Sequence, residues 1–161
     1  MGGLIITIEE ASANEIEYLQ KRPADDVVES FFQTERSRLD LDKAWHGIHF
    51  LLTGRAFEAD GPEAFLMMGG TSLGELHEEF GPARALSAQE IQALYEVVKS
   101  ITVEELKERY QPEHMQEIYP GFWDPALDGE DFPYLIFYFE RLKQFLAQLA
   151  EQQKGALVVI H

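Results

Sequence analysis

Leu39-Asp40-Leu41-Asp42-Lys43-Ala44-Trp45-His46-Gly47-Ile48-His49-Phe50-Leu51-Leu52-Thr53-Gly54 is the stretch on which the fold turns. On a helix running from about Leu41 to Thr53, Leu41, Trp45, Ile48 and Leu52 fall within one narrow apolar stripe, with Ala44 and Leu51 beside it, so this face packs on a core. Asp40, just ahead of the helix, reads as its N-cap, and Gly54, just past it, as its terminator. Along the flank, Asp42, His46, His49 and Thr53 step by four, three and four residues, which stacks a carboxylate, two imidazoles and a hydroxyl beside Trp45.

That line admits three readings. Imidazole and carboxylate are competent ligands for a divalent ion, but a complete zinc site needs at least one ligand more, so no metal is assigned. Asp42 orienting His46 as a general base, with His49 beside it, would make a catalytic group. The plainest reading is that the histidines are structural and hydrogen-bonded. A second polar and aromatic cluster lies in Glu117-Ile-Tyr-Pro-Gly-Phe-Trp-Asp124, where Pro120-Gly121 marks a turn with Tyr119, Phe122 and Trp123 crowded around it. Trp45, Tyr119 and Trp123 are therefore candidate binding residues, or rings that pin a loop to the core. His77, His114 and His161 are scattered and suggest no role.

Outward from this helix, the weak alternation and β-branching of Leu4 to Ile8 predict a strand, and Ala156 to Ile160 reads the same way. Ser12 with Glu15, Ser87 with Glu90 and Thr102 with Glu105 each have the spacing of a capping box, so helices begin at all three, with a helix-to-helix joint near residue 101. From Phe132 to Gln153 the positions Phe132, Leu135, Ile136, Phe139, Leu142, Leu146 and Leu149 trace the face of a long core helix, which Gly155 ends. Its extra aromatics Tyr134, Phe137, Tyr138 and Phe145 predict burial on more than one side. Phe65 to Met68 and Arg84 to Leu86 read as short strands, and the Gly-rich, acidic Gly69 to Gly81 as a loop or flap.

The 161 residues, 45% apolar and 12% aromatic, suffice for one folded domain spanning 1–161 despite a formal charge of -16. The absence of cysteine removes thiolate chemistry and Cys-based zinc sites, and it fits a reducing compartment. Met1-Gly-Gly-Leu-Ile-Ile6 has no basic n-region, and Ile6 stands where an acylation motif wants Ser or Thr. The apolar stretch Tyr134 to Phe139 falls far short of the ~20 residues of a membrane span. A cytoplasmic protein is expected. The excess of 29 acidic over 13 basic residues repels phosphate backbones and anionic lipid, which argues against nucleic acid or membrane as partner and is compatible with a basic protein.

There is no P-loop, dinucleotide glycine fingerprint, Gly-x-Ser-x-Gly elbow or His-Glu-x-x-His pair; Gly69-Gly70-Thr71-Ser72 lacks the P-loop lysine. No cofactor is called for. The 39–54 segment, Gly81-Pro-Ala-Arg-Ala-Leu-Ser87 and Ile118-Tyr-Pro-Gly-Phe-Trp123 together resemble the bacterial YfbM-like proteins, a domain-of-unknown-function family, over nearly the whole chain. The resemblance implies a small bacterial cytosolic protein folded as a three-layer α/β sandwich, with helices on the faces of a small mixed sheet; the segregated α+β class is the variant. It implies no reaction.

Two functional expectations follow. One is a protein acting by protein–protein interaction, an acidic inhibitor or immunity-like partner. The other is a small hydrolase or metal-dependent enzyme using Asp42, His46 and His49 near Trp45, Tyr119 and Trp123.

Overall fold

The computed structural model describes residues 4–23, 27, 31, 35–77, 80–121, 123 and 131–161, the side chains of 74–82 excepted. Five strands form one sheet in the order β2-β1-β5-β4-β3: β1 (Ile6–Ala11), β2 (Arg38–Asp40), β3 (Thr71–His77), β4 (Phe80–Leu86) and β5 (Gly155–Ile160). Every described pairing is antiparallel, so the mixed sheet expected from the resemblance is corrected to an antiparallel one. The last strand enters between β1 and β4, and its register sets Ile8 against Val158 and Ala85 against Leu157. This central place explains the unbroken apolar run Ala156-Leu-Val-Val-Ile160, because a strand covered on both faces has no solvent side to alternate toward. Burying each of its large side chains is worth about 1.5–3 kcal/mol over leaving it exposed.

Helices cover both faces. On one, Ile6, Ile8, Leu86, Ala156 and Val158 meet the buried residues of α2 (Trp45–Thr53), α3 (Ala88–Lys99), α4 (Val103–Arg109) and α5 (Phe132–Glu151). On the other, Leu73, Ala85, Leu157 and Val159 pack with Leu19 of α1 (Ala13–Gln20) and with Val27 and Phe31. The three layers of the sandwich are thus present.

The capping boxes at Ser12/Glu15 and Ser87/Glu90 are made in full. At Thr102 the hydroxyl takes the Glu105 amide, but the Glu105 carboxylate meets that hydroxyl instead of reaching back to the cap amide. α3 and α4 meet across the joint at residue 101 as the spacing predicts.

Several expectations are corrected. Residues 65–68 are not a strand: Pro62–Ala64 is a 3-10 turn that runs on through turns, and the strand lies instead at Thr71–His77, inside the stretch read as a flap. Its glycine and acidic residues hide an element that β4 imposes by pairing, Thr71 opposite Ala85 and His77 opposite Phe80. The first strand sits later than Leu4–Ile8, at Ile6–Ala11. The helix expected from Leu41 starts as a 3-10 turn at Asp42–Ala44, and Asp40 is a residue of β2 whose carboxylate accepts from the Asp42 amide at 2.6 Å. Gln153, at φ 55, takes the left-handed position after α5, while Gly155 opens β5. Position 155 needs glycine because a Cβ there would stand 2.3 Å from the Leu86 carbonyl oxygen. Phe145 is buried, yet Phe137 is 51% exposed under the Arg141 guanidinium, so α5 does not bury its whole aromatic arc.

Glu9, fully buried on the α1 side of β1, carries a charge through the fold. Arg36 meets it at 2.9 Å and Arg38 at 2.7 Å, and Arg36 also holds the Glu15 carboxylate of the first capping box at 2.9 Å. Burial raises the Glu9 pKa, with the two guanidinium groups acting against it. Removing Arg36 leaves the buried Glu9 carboxylate with Arg38 alone of the two guanidinium groups, so Arg36→Met is predicted to cost about 3 kcal/mol, the low end for breaking a buried pair, read from urea unfolding.

Candidate functional site

α2 is buried almost all round: from Trp45 to Leu52 only Phe50 keeps partial exposure, and His46 and His49 are 2% and 0% exposed. Close approach begins at Gly47, where a Cβ would lie 2.6 Å from Leu135 Cδ2 and 3.2 Å from Trp123. Such a helix has no wet side for polar groups. A polar side chain on it needs a partner inside the protein.

His46 finds two. Its Nδ1 accepts from the Tyr119 amide at 2.8 Å, which leaves Nε2 to carry the proton and donate to the Ala56 carbonyl. His49 donates from Nε2 to the Phe57 carbonyl at 2.7 Å, and its buried Nδ1 has no hydrogen-bond partner among the described residues. Burial holds both imidazoles below the usual histidine range, with the carbonyls of Ala56 and Phe57 working the other way. For His49 the nearby His46 and Arg84 lower it further. Both rings are neutral near pH 7.

The remaining predicted residues separate. Asp42 does not orient His46, whose ring nitrogens are both engaged elsewhere; its carboxylate accepts from the Tyr134 hydroxyl at 2.8 Å, and that hydroxyl accepts from the Lys43 amide at 3.1 Å. Burial, followed by the Asp42 carboxylate, pushes the Tyr134 pKa up. Thr53 turns back on its own helix, donating to the His49 carbonyl at 2.8 Å.

The candidate binding rings do converge. Trp45 stacks on His46 at 5.2 Å and on Tyr119 at 5.6 Å between centroids. Trp45 Nε1 donates to the Leu4 carbonyl at 2.9 Å, and the Tyr119 hydroxyl accepts from the Leu4 amide at 2.6 Å. Trp123, 2% exposed, donates to the Tyr119 carbonyl at 3.3 Å. Phe122 and Asp124 lie outside the described residues.

Sequence reasoning missed Arg84, the third member of this arrangement. It donates from Nη1 to the carbonyls of Phe65 at 3.0 Å and Gly69 at 3.3 Å, and from Nη2 to Leu66 at 2.6 Å. Burial lowers its pKa to about 10, offset by Glu90, so it stays charged at neutral pH. The available signal was a lone arginine inside the apolar strand run Ala83-Arg-Ala-Leu86. His46, His49 and Arg84 together pin the 55–69 segment by the carbonyls of Ala56, Phe57, Phe65, Leu66 and Gly69.

Among the described residues no group of three or more His, Cys, Asp or Glu side chains is placed to hold a metal ion. Described cavities of about 310, 380 and 410 Å³ are lined by neither imidazole. No described helix is long and apolar enough to cross a membrane.

The histidines set a pH dependence. Their folded pKa values lie below the ordinary 6.5, so folding favours the neutral rings, and stability is lost as pH falls through 6.5 toward the folded values. The urea midpoint is predicted to be nearly flat from pH 8 to 7 and to decline below 6.5, with a limiting slope of about 1.4 kcal/mol per pH unit for each imidazole. His46→Asn, which keeps an acceptor for the Tyr119 amide but cannot titrate, reduces that slope.

Comparison with known proteins places this geometry. The family profile described as a domain of unknown function (DUF1877) matches residues 1–159. Protein YfbM of Escherichia coli (strain K12) is 28% identical over an alignment of 166 residues that covers 99% of this chain and 98% of that protein. The crystal structure of YfbM from Escherichia coli, titled a protein of unknown function, superimposes with a TM-score of 0.76 at 26% identity, covering 98% of this chain and 99% of that one. The chain therefore belongs to the DUF1877 family, sharing both the sequence profile and the sandwich architecture of YfbM.

Proposed function

We propose that this protein acts by binding rather than by catalysis, presenting an acidic surface to a basic protein partner in the manner of an inhibitor or immunity-type protein. The observation that carries the reading is the net charge of -16 together with its placement: among the described residues Glu9 is the only carboxylate in the buried class. The rest of the described acidic groups stand where they add to the outward field, which steers an oppositely charged partner and repels nucleic acid and anionic lipid. The same reading takes residues 1–161 as one domain working in the cytoplasm. The family match over 1–159 and the lack of cysteine support it.

Hydrolytic or metal-dependent chemistry at Asp42, His46 and His49 is the second reading. One observation favours it, the buried Nδ1 of His49, which has no hydrogen-bond partner among the described residues. Against it weigh the commitment of three of the four ring nitrogens to backbone partners and the Tyr134 bond that draws Asp42 away.

Screening supplies the test. The Debye length falls from roughly 14 Å at 50 mM salt to about 4–5 Å at 500 mM, so association steered by opposite charge weakens steeply across that range. Immobilised protein is predicted to retain a basic protein from bacterial lysate at 50 mM and release it at 500 mM, and the purified partner to rebind saturably with affinity at least about tenfold weaker at high salt. Retention of no such partner at low salt would refute the reading.

A further inference from the structure

One cavity lies where α1 faces the start of α3, beside Gly155 at the head of β5. Its volume is about 310 Å³, at the small end for a ligand pocket and suited to a single side chain. Ile16, Ala85 and Ala88 give its lining aliphatic surface, and two carboxylates, Glu17 and Glu90, line it beside the neutral polar Gln20, Thr71 and Ser87. Among the described residues no lysine, arginine or aromatic ring lines the cavity.

Each feature narrows the occupant. Two carboxylates without a lining cation disfavour an anion, even beside a helix N-terminus, and the Ser87/Glu90 capping box already uses the Ser87 and Glu90 amides at 2.9 and 3.1 Å. The aliphatic part of the lining suits methylene groups. A guanidinium gains most from a ring to stack on or a bidentate fork, whereas an ammonium is a compact charge on a flexible apolar stem that lies along aliphatic surface with its head at the carboxylates. Glu17 has a surface pair with Lys21 at 3.5 Å, both side chains more than two-thirds exposed, and such a pair exchanges readily for another ammonium.

We propose that this cavity receives a lysine side chain of the basic partner, its stem on Ile16, Ala85 and Ala88 and its ammonium between Glu17 and Glu90. The assignment rests on the proposed binding function and names where that binding is centred.

The test uses N-acetyl-lysine-N-methylamide and its norleucine analogue, which has the stem without the ammonium, titrated into the ¹⁵N-labelled full chain at low salt. The lysine probe is expected to shift the amides of Ile16, Glu17, Gln20, Thr71 and Ala88, with the norleucine probe about fivefold weaker. Glu17→Gln/Glu90→Gln keeps the capping box, since glutamine also serves at that position, and is expected to weaken the lysine probe about fivefold; Glu104→Gln/Glu108→Gln, with the same charge change on α4, leaves it unchanged. Equal response to norleucine, shifts centred elsewhere, no shifts, or equal loss in the α4 variant would overturn the assignment. Applied to a captured basic partner, undiminished binding by Glu17→Gln/Glu90→Gln overturns the cavity alone. A wild-type chain that retains no basic partner overturns the function beneath it.

Discussion

The imidazole-to-carbonyl bonds of α2 are the interaction on which the helical side of this molecule depends. A helix packed on all sides cannot leave a polar side chain unpaired without a penalty of about 1–3 kcal/mol per orphaned group. His46 meets that constraint at both ring nitrogens and His49 at Nε2, by reaching out of the helix to backbone that lacks regular structure of its own. They thereby hold in place the 55–69 segment and the turn at Tyr119, and Arg84 completes the hold from the sheet. Trp45 and Tyr119 then clamp the two polar groups of Leu4, so the first described residue of the chain is tied to the same centre.

The opposite face of the sheet obeys the same logic with full charges. Glu9 sits in a layer of Leu157, Val159 and Ala11, where a carboxylate is tolerated only with partners, and Arg36, just ahead of β2, and Arg38, its first residue, supply them. Polar side chains are thus spent inward at two centres, one neutral and one ionic, each fastening irregular chain to the sheet. Among the described residues no carboxylate other than that of Glu9 is fully buried, so the acidic excess lies outside these two centres.

Much of the fold was legible because local rules and tertiary packing agree. The capping boxes at Ser12 and Ser87 start helices where their spacing places them, and the stripe Leu41, Trp45, Ile48 and Leu52 is buried. β3 was not legible, since Thr71-Ser-Leu-Gly-Glu-Leu-His77 has weak strand preference and owes its state to pairing with β4. The polar line on α2 was visible as a pattern, but periodicity treats the side opposite a stripe as solvent-facing. Here Gly47 lets Leu135 and Trp123 approach the helix closely, and the two imidazoles of the line are interior. Which carbonyls the rings then reach depends on chain distant in sequence, as with the Tyr119 amide on His46, 73 positions away. Arg84 went unread for a similar reason: its partners lie on a loop that no local rule brings to β4.

The most direct measurement of this account is the tautomer and charge of the two buried rings, read from long-range ¹H–¹⁵N correlations of the side-chain nitrogens at pH 7. The bonding described here predicts that His46 and His49 are both neutral and protonated at Nε2, with slowly exchanging ring protons. A charged ring, an Nδ1-protonated tautomer at His46, or rapid averaging between tautomers would contradict it.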